Sequence, residues 1–316
     1  MKLFKYLTLS LILTLVLSSC GTTNTVPITG RKQNLLVTDA EVLSLSNSQY
    51  KEYMKTAKIS SDATNTAMVK RVGQRLATAV ETYLKNNNLA SELQYYAWEF
   101  NLVNSKEANA FCMPGGKIVV YDGLLGYTKT EAGLAIVLGH EIAHAVAKHS
   151  AEQLSKQMRA QYGAQALSAI LSQTSASATT SAIASQAFGF GSSSLLRKFS
   201  RDNESEADLM GLIFAAMAGY DPNEAITFWQ RMSAGNTNTI SEFFSDHPSD
   251  AKRIAAIQKE MPEVMKYYKP QAVATTQKTT SATKKTTATT KKTTTTAKKN
   301  TATSKTSKAT TTTKKK

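Results

Sequence analysis

The sequence of 316 residues predicts a mostly helical α+β fold with a small sheet beside one central helix. Three observations support this class. Residues 130–150 are rich in Ala, Leu, Ile and Val, contain no proline and begin with Thr130, a residue that caps helices well. Residues 38–84 repeat apolar side chains at helical spacing, which predicts two or three amphipathic helices. Residues 95–103 and 117–121 are aromatic and β-branched, as strands usually are.

The central helix carries the pattern His140-Glu141-Ile142-Ala143-His144. Positions four apart share one face of a helix, with Cβ atoms about 5–6 Å apart, so the two imidazoles can bind one zinc ion. Glu141 follows the first histidine, where a carboxylate can take a proton from an attacking water. A buried helix with two unrelated histidines would also produce this short pattern.

A second polar stretch offers the third protein ligand that catalytic zinc usually needs. It reads Asn-Glu-Ser-Glu-Ala-Asp from Asn203 and precedes another apolar run. Glu204 and Asp208 are one helical turn apart and share a face. Glu206 points elsewhere by this spacing, so we expect a solvated charge, although it is the alternative ligand. His149 lies off the metal-facing side, so we expect a surface or capping histidine.

The segment before the central helix contains a turn signal and a candidate substrate edge. Pro114-Gly-Gly predicts a turn, and residues 117–121 continue it as a strand. In zinc peptidases of this broad type an edge strand beside the metal binds the substrate backbone, which makes Asn109, Ala110 and Phe111 candidates. A purely structural hairpin fits the same residues.

Three motifs in order, N-A-F-x-x-P-G-G-x-I-x-V, H-E-x-x-H and N-E-x-E-A-D, resemble one metallopeptidase family. It includes the CAAX prenyl proteases, HtpX and periplasmic bacterial quality-control peptidases, and the resemblance covers residues 60–265. The resemblance implies a zincin-like (gluzincin) fold, one zinc ion and endopeptidase activity. It implies zinc ligands at His140, His144 and Glu204, a general base at Glu141, and at Asp208 a carboxylate that orients a ligating imidazole. The sequence shows no transmembrane helices, so it resembles the soluble periplasmic branch, and prenyl-peptide substrates are disfavoured.

The pattern H-P-x-x-x-x-R-I at His247 also matches the family, where this His and Arg lie near the active site. The resemblance therefore implies that His247, assisted by Arg253, polarises the scissile carbonyl or the oxyanion. Alternatively, His247 is a reversible fourth zinc ligand that closes the site. A helix cap before a proline at the first turn is the third interpretation.

The N-terminus resembles a bacterial lipoprotein signal. Two lysines precede an apolar run, residues 7–17, and small residues lead to Cys20. We predict a signal peptide at residues 1–19, acylation of Cys20 and a lipid-attached tether at residues 20–37. An ordinary secretory signal or an uncleaved anchor are the alternatives. No acidic residue follows Cys20, which favours the outer membrane with the protein facing the periplasm. Cys112 then has no partner and is expected to be a buried free thiol.

The predicted metallopeptidase domain spans residues 38–268. One low-complexity region lies within it and a second follows it. Residues 163–194 shift to Ala, Ser, Thr and Gly and are interpreted as a lid or a flexible insertion. Residues 269–316, rich in Lys, Thr and Ala, are predicted to be a disordered tail. The tail from residue 271 and the leader hold fourteen lysines, almost the whole net charge of +15. Without aromatic residues the tail argues against specific nucleic-acid binding, and favours anionic lipid, cell-wall polymers, acidic proteins or a simple solubilising role.

Together these features predict a lipid-anchored zinc endopeptidase that hydrolyses misfolded or unassembled cell-envelope proteins. Quality control follows from the resemblance alone. An envelope assembly factor or chaperone with little proteolysis is the alternative. A wall- or membrane-binding protein that acts through its tail is the third class.

Overall fold

The computed structural model describes residues 21–172, 199–234 and 251–270, with side chains through residue 162 in the first range. The elements lie in the unit that ends at Ala272. In chain order they are β1 (Thr22–Thr25), β2 (Lys32–Leu35), α1 (Asp39–Thr56), α2 (Ala63–Asn86), β3 (Glu99–Val103), β4 (Ala110–Met113), β5 (Lys117–Tyr121), α3 (Asp122–Thr128), α4 (Glu131–Val146), α5 (His149–Ser172), α6 (Arg201–Met217), α7 (Glu224–Ala234) and α8 (Ala251–Val264). The predicted mostly helical α+β class is confirmed.

The main sheet has three strands in the order β3-β5-β4. Central β5 is parallel to β3 and antiparallel to β4, with Ala110 opposite Val120. The predicted turn between β4 and β5 is confirmed, because Gly115 and Gly116 adopt φ of +90° and +82°, where only glycine is unstrained. The first predicted strand starts later than expected, at Glu99, because a 3-10 helix (Ala90–Tyr95) precedes it.

Two amphipathic helices, α1 and α2, occupy residues 38–84 as predicted. Thr38 begins α1 with a capping box, in which its hydroxyl accepts from the Glu41 amide while the Glu41 carboxylate accepts from the Thr38 amide. Asp62 caps α2. Helix α2 buries one face, which includes Val72 and Leu76, against the sheet and α4.

Helices α4 and α6 cross at the centre of the molecule. Thr130 caps α4 by accepting from the Gly133 amide at 2.9 Å, so the predicted start of this helix is confirmed. The backbones touch where Gly139 faces Gly211: a Cβ atom on Gly139 would lie 2.6 Å from the Gly211 carbonyl oxygen. Only glycine allows this approach.

The prediction of a polar tether before α1 is wrong for residues 22–35. These residues form the hairpin β1–β2, with Thr22 opposite Leu35. Alternate side chains of β2, Gln33 and Leu35, are buried, and the Gln33 amide donates to the Ala147 carbonyl at 2.7 Å. The stretch is polar in composition because only one face of β2 packs against the domain, while the side chains of the other face are exposed.

The C-terminal helices α7 and α8 complete the packing around α6. Helix α8 packs on α6 and α7, and it contains Pro262. In the ranges the structure describes, no helix combines the length and the apolar character needed to span a bilayer. Most of the predicted lid at residues 163–194, the leader with Cys20, and the tail from residue 271 lie outside the described residues.

Candidate metal centre

Three predicted ligands converge at the crossing of α4 and α6. His140 Nε2 lies 3.0 Å from His144 Nε2, and each lies 3.4 Å from one oxygen of Glu204. His140 and His144 sit on one face of α4, and Glu204 comes from the first turn of α6. All three are buried, and among the described residues they are the group whose ligand atoms could hold a metal ion.

This donor set fits zinc. Two imidazole nitrogens and one carboxylate leave a coordination position open, as catalytic zinc sites do. The three groups turn their ligand atoms toward one another, so a divalent cation would match their lone pairs. Burial lowers the pKa of His140, but the hydrogen bonds that its ring donates to Asp208 and Glu204 outweigh this effect and raise the pKa to about 9. A proton therefore competes with the metal there.

Glu141 lies next to the first ligand and is buried. Glu141 also lies close to Cys112 on β4. Burial raises the pKa of the Cys112 thiol well above its ordinary value, and the nearby negative charge of Glu141 raises it further. Among the described residues Cys112 forms no disulfide, and it is half-buried, whereas the sequence predicted a buried thiol. The edge strand thus runs past the carboxylate predicted to handle the proton.

Asp208 and Arg253 stand behind His140. Asp208 Oδ1 lies 3.0 Å from His140 Nδ1, and Arg253 donates to both Asp208 oxygens at 2.7 and 2.8 Å. The Arg253 guanidinium stacks 3.7 Å above the Trp229 ring, and it lies 3.4 Å from Glu204. Its Nη2 also lies 3.3 Å from His140 Nδ1, so Arg253 contacts three groups of the candidate metal centre. The sequence had indicated only that Arg253 lies near the active site.

The prediction that His149 is a surface histidine is wrong. His149 is 1% exposed, and its Nδ1 lies 2.8 Å from His144 Nδ1. Helical spacing misplaced it because α4 ends at Val146 and Lys148 adopts a positive φ of 54°, which turns the chain back toward the metal side. Nothing in the residue types of this segment signals that turn.

The prediction that Glu206 is a solvated charge is also wrong. Glu206 is buried, and its carboxylate accepts from His149, Arg31 and the Thr29 hydroxyl. Burial raises the pKa of Glu206, but these hydrogen bonds prevail and lower it to about 2, so the carboxylate is ionised. Sequence reasoning missed Arg31 as well, because it assigned residues 20–37 to a tether.

The three residues of the candidate substrate edge lie on β4 and just before it. Asn109 and Ala110 are buried, and Phe111 packs edge-on against Tyr53 and Tyr121. Within the described ranges β4 pairs with β5 on one side and with no strand on the other. His247 lies outside the described residues.

Comparison with known proteins identifies the family. The profile of peptidase family M48 matches residues 63–261, more than half of the chain. This chain belongs to peptidase family M48. The predicted zinc metallopeptidase family and its zinc cofactor are thereby confirmed, and His140, His144 and Glu204 are the residues able to hold that metal.

Named relatives within family M48 come from eukaryotes and bacteria. The chain is 40% identical over 187 residues to mitochondrial metalloendopeptidase OMA1 of Schizosaccharomyces pombe, which covers 58% of this chain and 52% of the relative. It is 30% identical over 250 residues to human metalloendopeptidase OMA1, with coverage of 76% and 46%. It is 24% identical over 237 residues to the β-barrel assembly-enhancing protease of Escherichia coli, with coverage of 73% and 46%. The chain spans about half the length of these relatives.

Proposed function

We propose that this M48 chain is a zinc-dependent endopeptidase. The observation that carries the proposal is the convergence of His140, His144 and Glu204 around one point, with Glu141 adjacent on the same helix. Zinc supplies a Lewis acid and an activated water when bound. Glu141 accepts a proton from the attacking water and returns it to the leaving amine. The relatives' names, metalloendopeptidase and protease, support the same reaction class.

The outer edge of β4 is the proposed binding site for the substrate backbone. Asn109 O accepts from the Tyr121 amide, so in this antiparallel pair the backbone groups of Ala110 and Cys112 point to the other side. The Ala110 amide is already bonded to the Asn109 side chain at 2.8 Å. The Cys112 backbone is therefore the proposed anchor for an added peptide strand, and Cys112 lies near Glu141.

Zinc content and casein cleavage, measured on residues 21–316, test the activity. We expect one zinc per chain and cleavage in the parent. The Glu141→Gln variant keeps the zinc and loses cleavage, because the amide cannot act as a base. Glu107→Gln, the same change at an exposed glutamate, is the matched control and keeps the parent rate. Equal cleavage by parent and Glu141→Gln contradicts the proposal.

We further propose that the protein is an exported lipoprotein whose substrates are misfolded or unassembled envelope proteins. Support comes from the leader pattern that ends at Cys20 and from the bacterial relative named for β-barrel assembly. The OMA1 relatives are named as mitochondrial proteins, so the compartment differs among the relatives and the proposed location depends on the leader pattern. In a Gram-negative host, parent protein is expected in the outer-membrane fraction and Cys20→Ser in the soluble periplasm. Identical fractionation contradicts lipid anchoring.

An assembly factor with little proteolysis is the second candidate, favoured by the name of the Escherichia coli relative, a β-barrel assembly-enhancing protease. Glu141→Gln separates the two functions in cells that lack the parent gene. If the variant restores envelope-protein assembly as fully as the parent, hydrolysis is dispensable and the assembly role is the main one. Failure of the variant assigns the phenotype to proteolysis.

A further inference from the structure

A continuous chain of hydrogen bonds leads from the zinc ligand His144 to the N-terminal hairpin. His144 Nδ1 lies 2.8 Å from His149 Nδ1, and His149 Nε2 lies 2.9 Å from Glu206 Oε2. Arg31, just before β2, donates to the same oxygen from Nε at 2.9 Å and from Nη2 at 2.7 Å. We call His149, Glu206 and Arg31 the Arg31 chain.

The direction of the hydrogen bonds in the Arg31 chain follows from its far end. An ionised carboxylate only accepts, so Glu206 requires that His149 Nε2 carries a proton. In a neutral imidazole the other nitrogen, His149 Nδ1, is then an acceptor. It accepts from His144 Nδ1–H, which leaves the lone pair of His144 on Nε2. That nitrogen is the one that faces His140 and Glu204.

The other zinc histidine has a shorter version of this arrangement. His140 meets Asp208, and Asp208 is held by Arg253. Each of the two imidazoles is thus linked through hydrogen bonds to a carboxylate that an arginine holds. On the His144 side the link to the carboxylate passes through one additional imidazole, that of His149. Such partners fix the tautomer and ring orientation of a metal-ligating histidine.

We propose that His149, Glu206 and Arg31 are positioning residues that hold His144 in the tautomer and orientation its metal-bound form requires. The N-terminal hairpin is therefore part of the metal site. Phe199, which stacks on the His144 ring at 4.1 Å, restrains the ring plane, whereas the Arg31 chain sets which nitrogen faces the metal.

A purely structural role for Arg31 makes a different prediction. Arg31 also binds Glu152 through two hydrogen bonds of 3.0 and 2.9 Å, and the carboxylate hydrogen-bonded to His149 is that of Glu206, not Glu152. Loss of either carboxylate removes one partner of Arg31 and loosens the hairpin. Only loss of Glu206 breaks the route to His144. Glu152→Gln is therefore the matched control for Glu206→Gln.

Zinc affinity, measured by competition with a chromogenic chelator, tests the proposal without any substrate. We expect Glu206→Gln to raise the Kd for Zn²⁺ about 10–100-fold, because an amide can donate to His149 and so permits the wrong tautomer. Glu152→Gln stays within about threefold of the parent by the same reasoning. The visible spectrum of the Co²⁺-loaded protein changes in Glu206→Gln alone. Equal Zn²⁺ affinity in these two variants overturns the proposal, whether or not the protein proves to be a peptidase.

Two substitutions at His149 separate hydrogen bonding from packing. His149→Phe keeps a flat ring but has no acceptor, and we expect the same loss of Zn²⁺ affinity. His149→Asn places an amide oxygen near the former Nδ1, and we expect most of the affinity to return. If His149→Phe does not fold, His149→Asn and Glu206→Gln decide the question. Parent affinity and a parent Co²⁺ spectrum in His149→Phe would refute the role of this histidine.

Discussion

Replacing Gly211 by alanine pushes apart the two helices that carry the zinc ligands. A Cβ atom at Gly211 would lie 2.6 Å from His140 N and 2.7 Å from Gly139 C, which are backbone atoms that cannot rotate away. Ordinary van der Waals contact begins near 3.4 Å, so α4 and α6 must separate by about 0.8 Å at this point. Because Glu204 is on α6 and both histidines are on α4, the separation acts directly on the ligand distances.

The magnitude of the effect follows from this displacement. Metal–ligand distances tolerate about 0.2 Å, so a shift of about 0.8 Å requires new rotamers or a weakened bond. Forcing a methyl into a close-packed contact costs about 1–3 kcal/mol of folding free energy. For a domain of this size each 1 kcal/mol lowers Tm by about 2–4 °C. We expect Gly211→Ala to lower Tm by several degrees in the zinc-free form and to raise the Kd for Zn²⁺ at least about tenfold.

Gly126→Ala is the matched control. Gly126 is exposed on α3, and a Cβ atom there meets nothing within 4 Å. Alanine is the better helix former, so Tm in this variant is expected to stay equal or rise slightly. Calorimetry of the metal-free proteins and chelator competition for zinc are the two measurements. A Gly211→Ala protein with the parent Tm and the parent zinc affinity would refute the close-contact reasoning.

Three further predictions concern metal, pH and the remaining histidine. Removing zinc with a chelator lowers Tm, because a ligand present at a hundredfold above its Kd stabilises by about 2.7 kcal/mol; an unchanged Tm contradicts a metal site formed on folding. Burial raises the pKa of Glu152, but hydrogen bonds from Arg31, Lys156 and Gln33 prevail and lower it to about 2. The ionised Glu152 carboxylate therefore stabilises the fold fully above pH 4.5, and this contribution is lost as pH falls toward 2. The difference in the free energy of unfolding in urea between parent and Glu152→Gln is expected to shrink across this window. A difference that stays constant contradicts the prediction. His247→Ala changes casein cleavage: a lower rate supports the electrophile, a higher rate the latch, and the parent rate excludes both.

Much of the metal site could be predicted because its determinants are local. The spacing of His140 and His144 places both imidazoles on one side of any α-helix, and the same rule relates Glu204 to Asp208. The caps at Thr38 and Thr130 and the turn at Gly115 also depend on neighbours within a few residues. Local backbone preferences are strong enough to be recognised without the rest of the chain.

Other features depend on contacts between residues far apart in sequence. Glu206 appeared to be a surface charge because its partner Arg31 is 175 residues away. The hairpin that carries Arg31 appeared to be a tether because a strand with one buried face and polar side chains has no distinctive composition.

By itself, therefore, the sequence determined the class of fold, the central helix and the three residues that could hold the metal. Only the tertiary structure decided that α4 and α6 approach closely enough at Gly139 and Gly211 to bring those ligands together. It alone turned the chain at Lys148 so that His149 reaches back to His144. The physical reason is that helical periodicity fixes directions within one element, whereas the distance between elements is set by packing across the whole core.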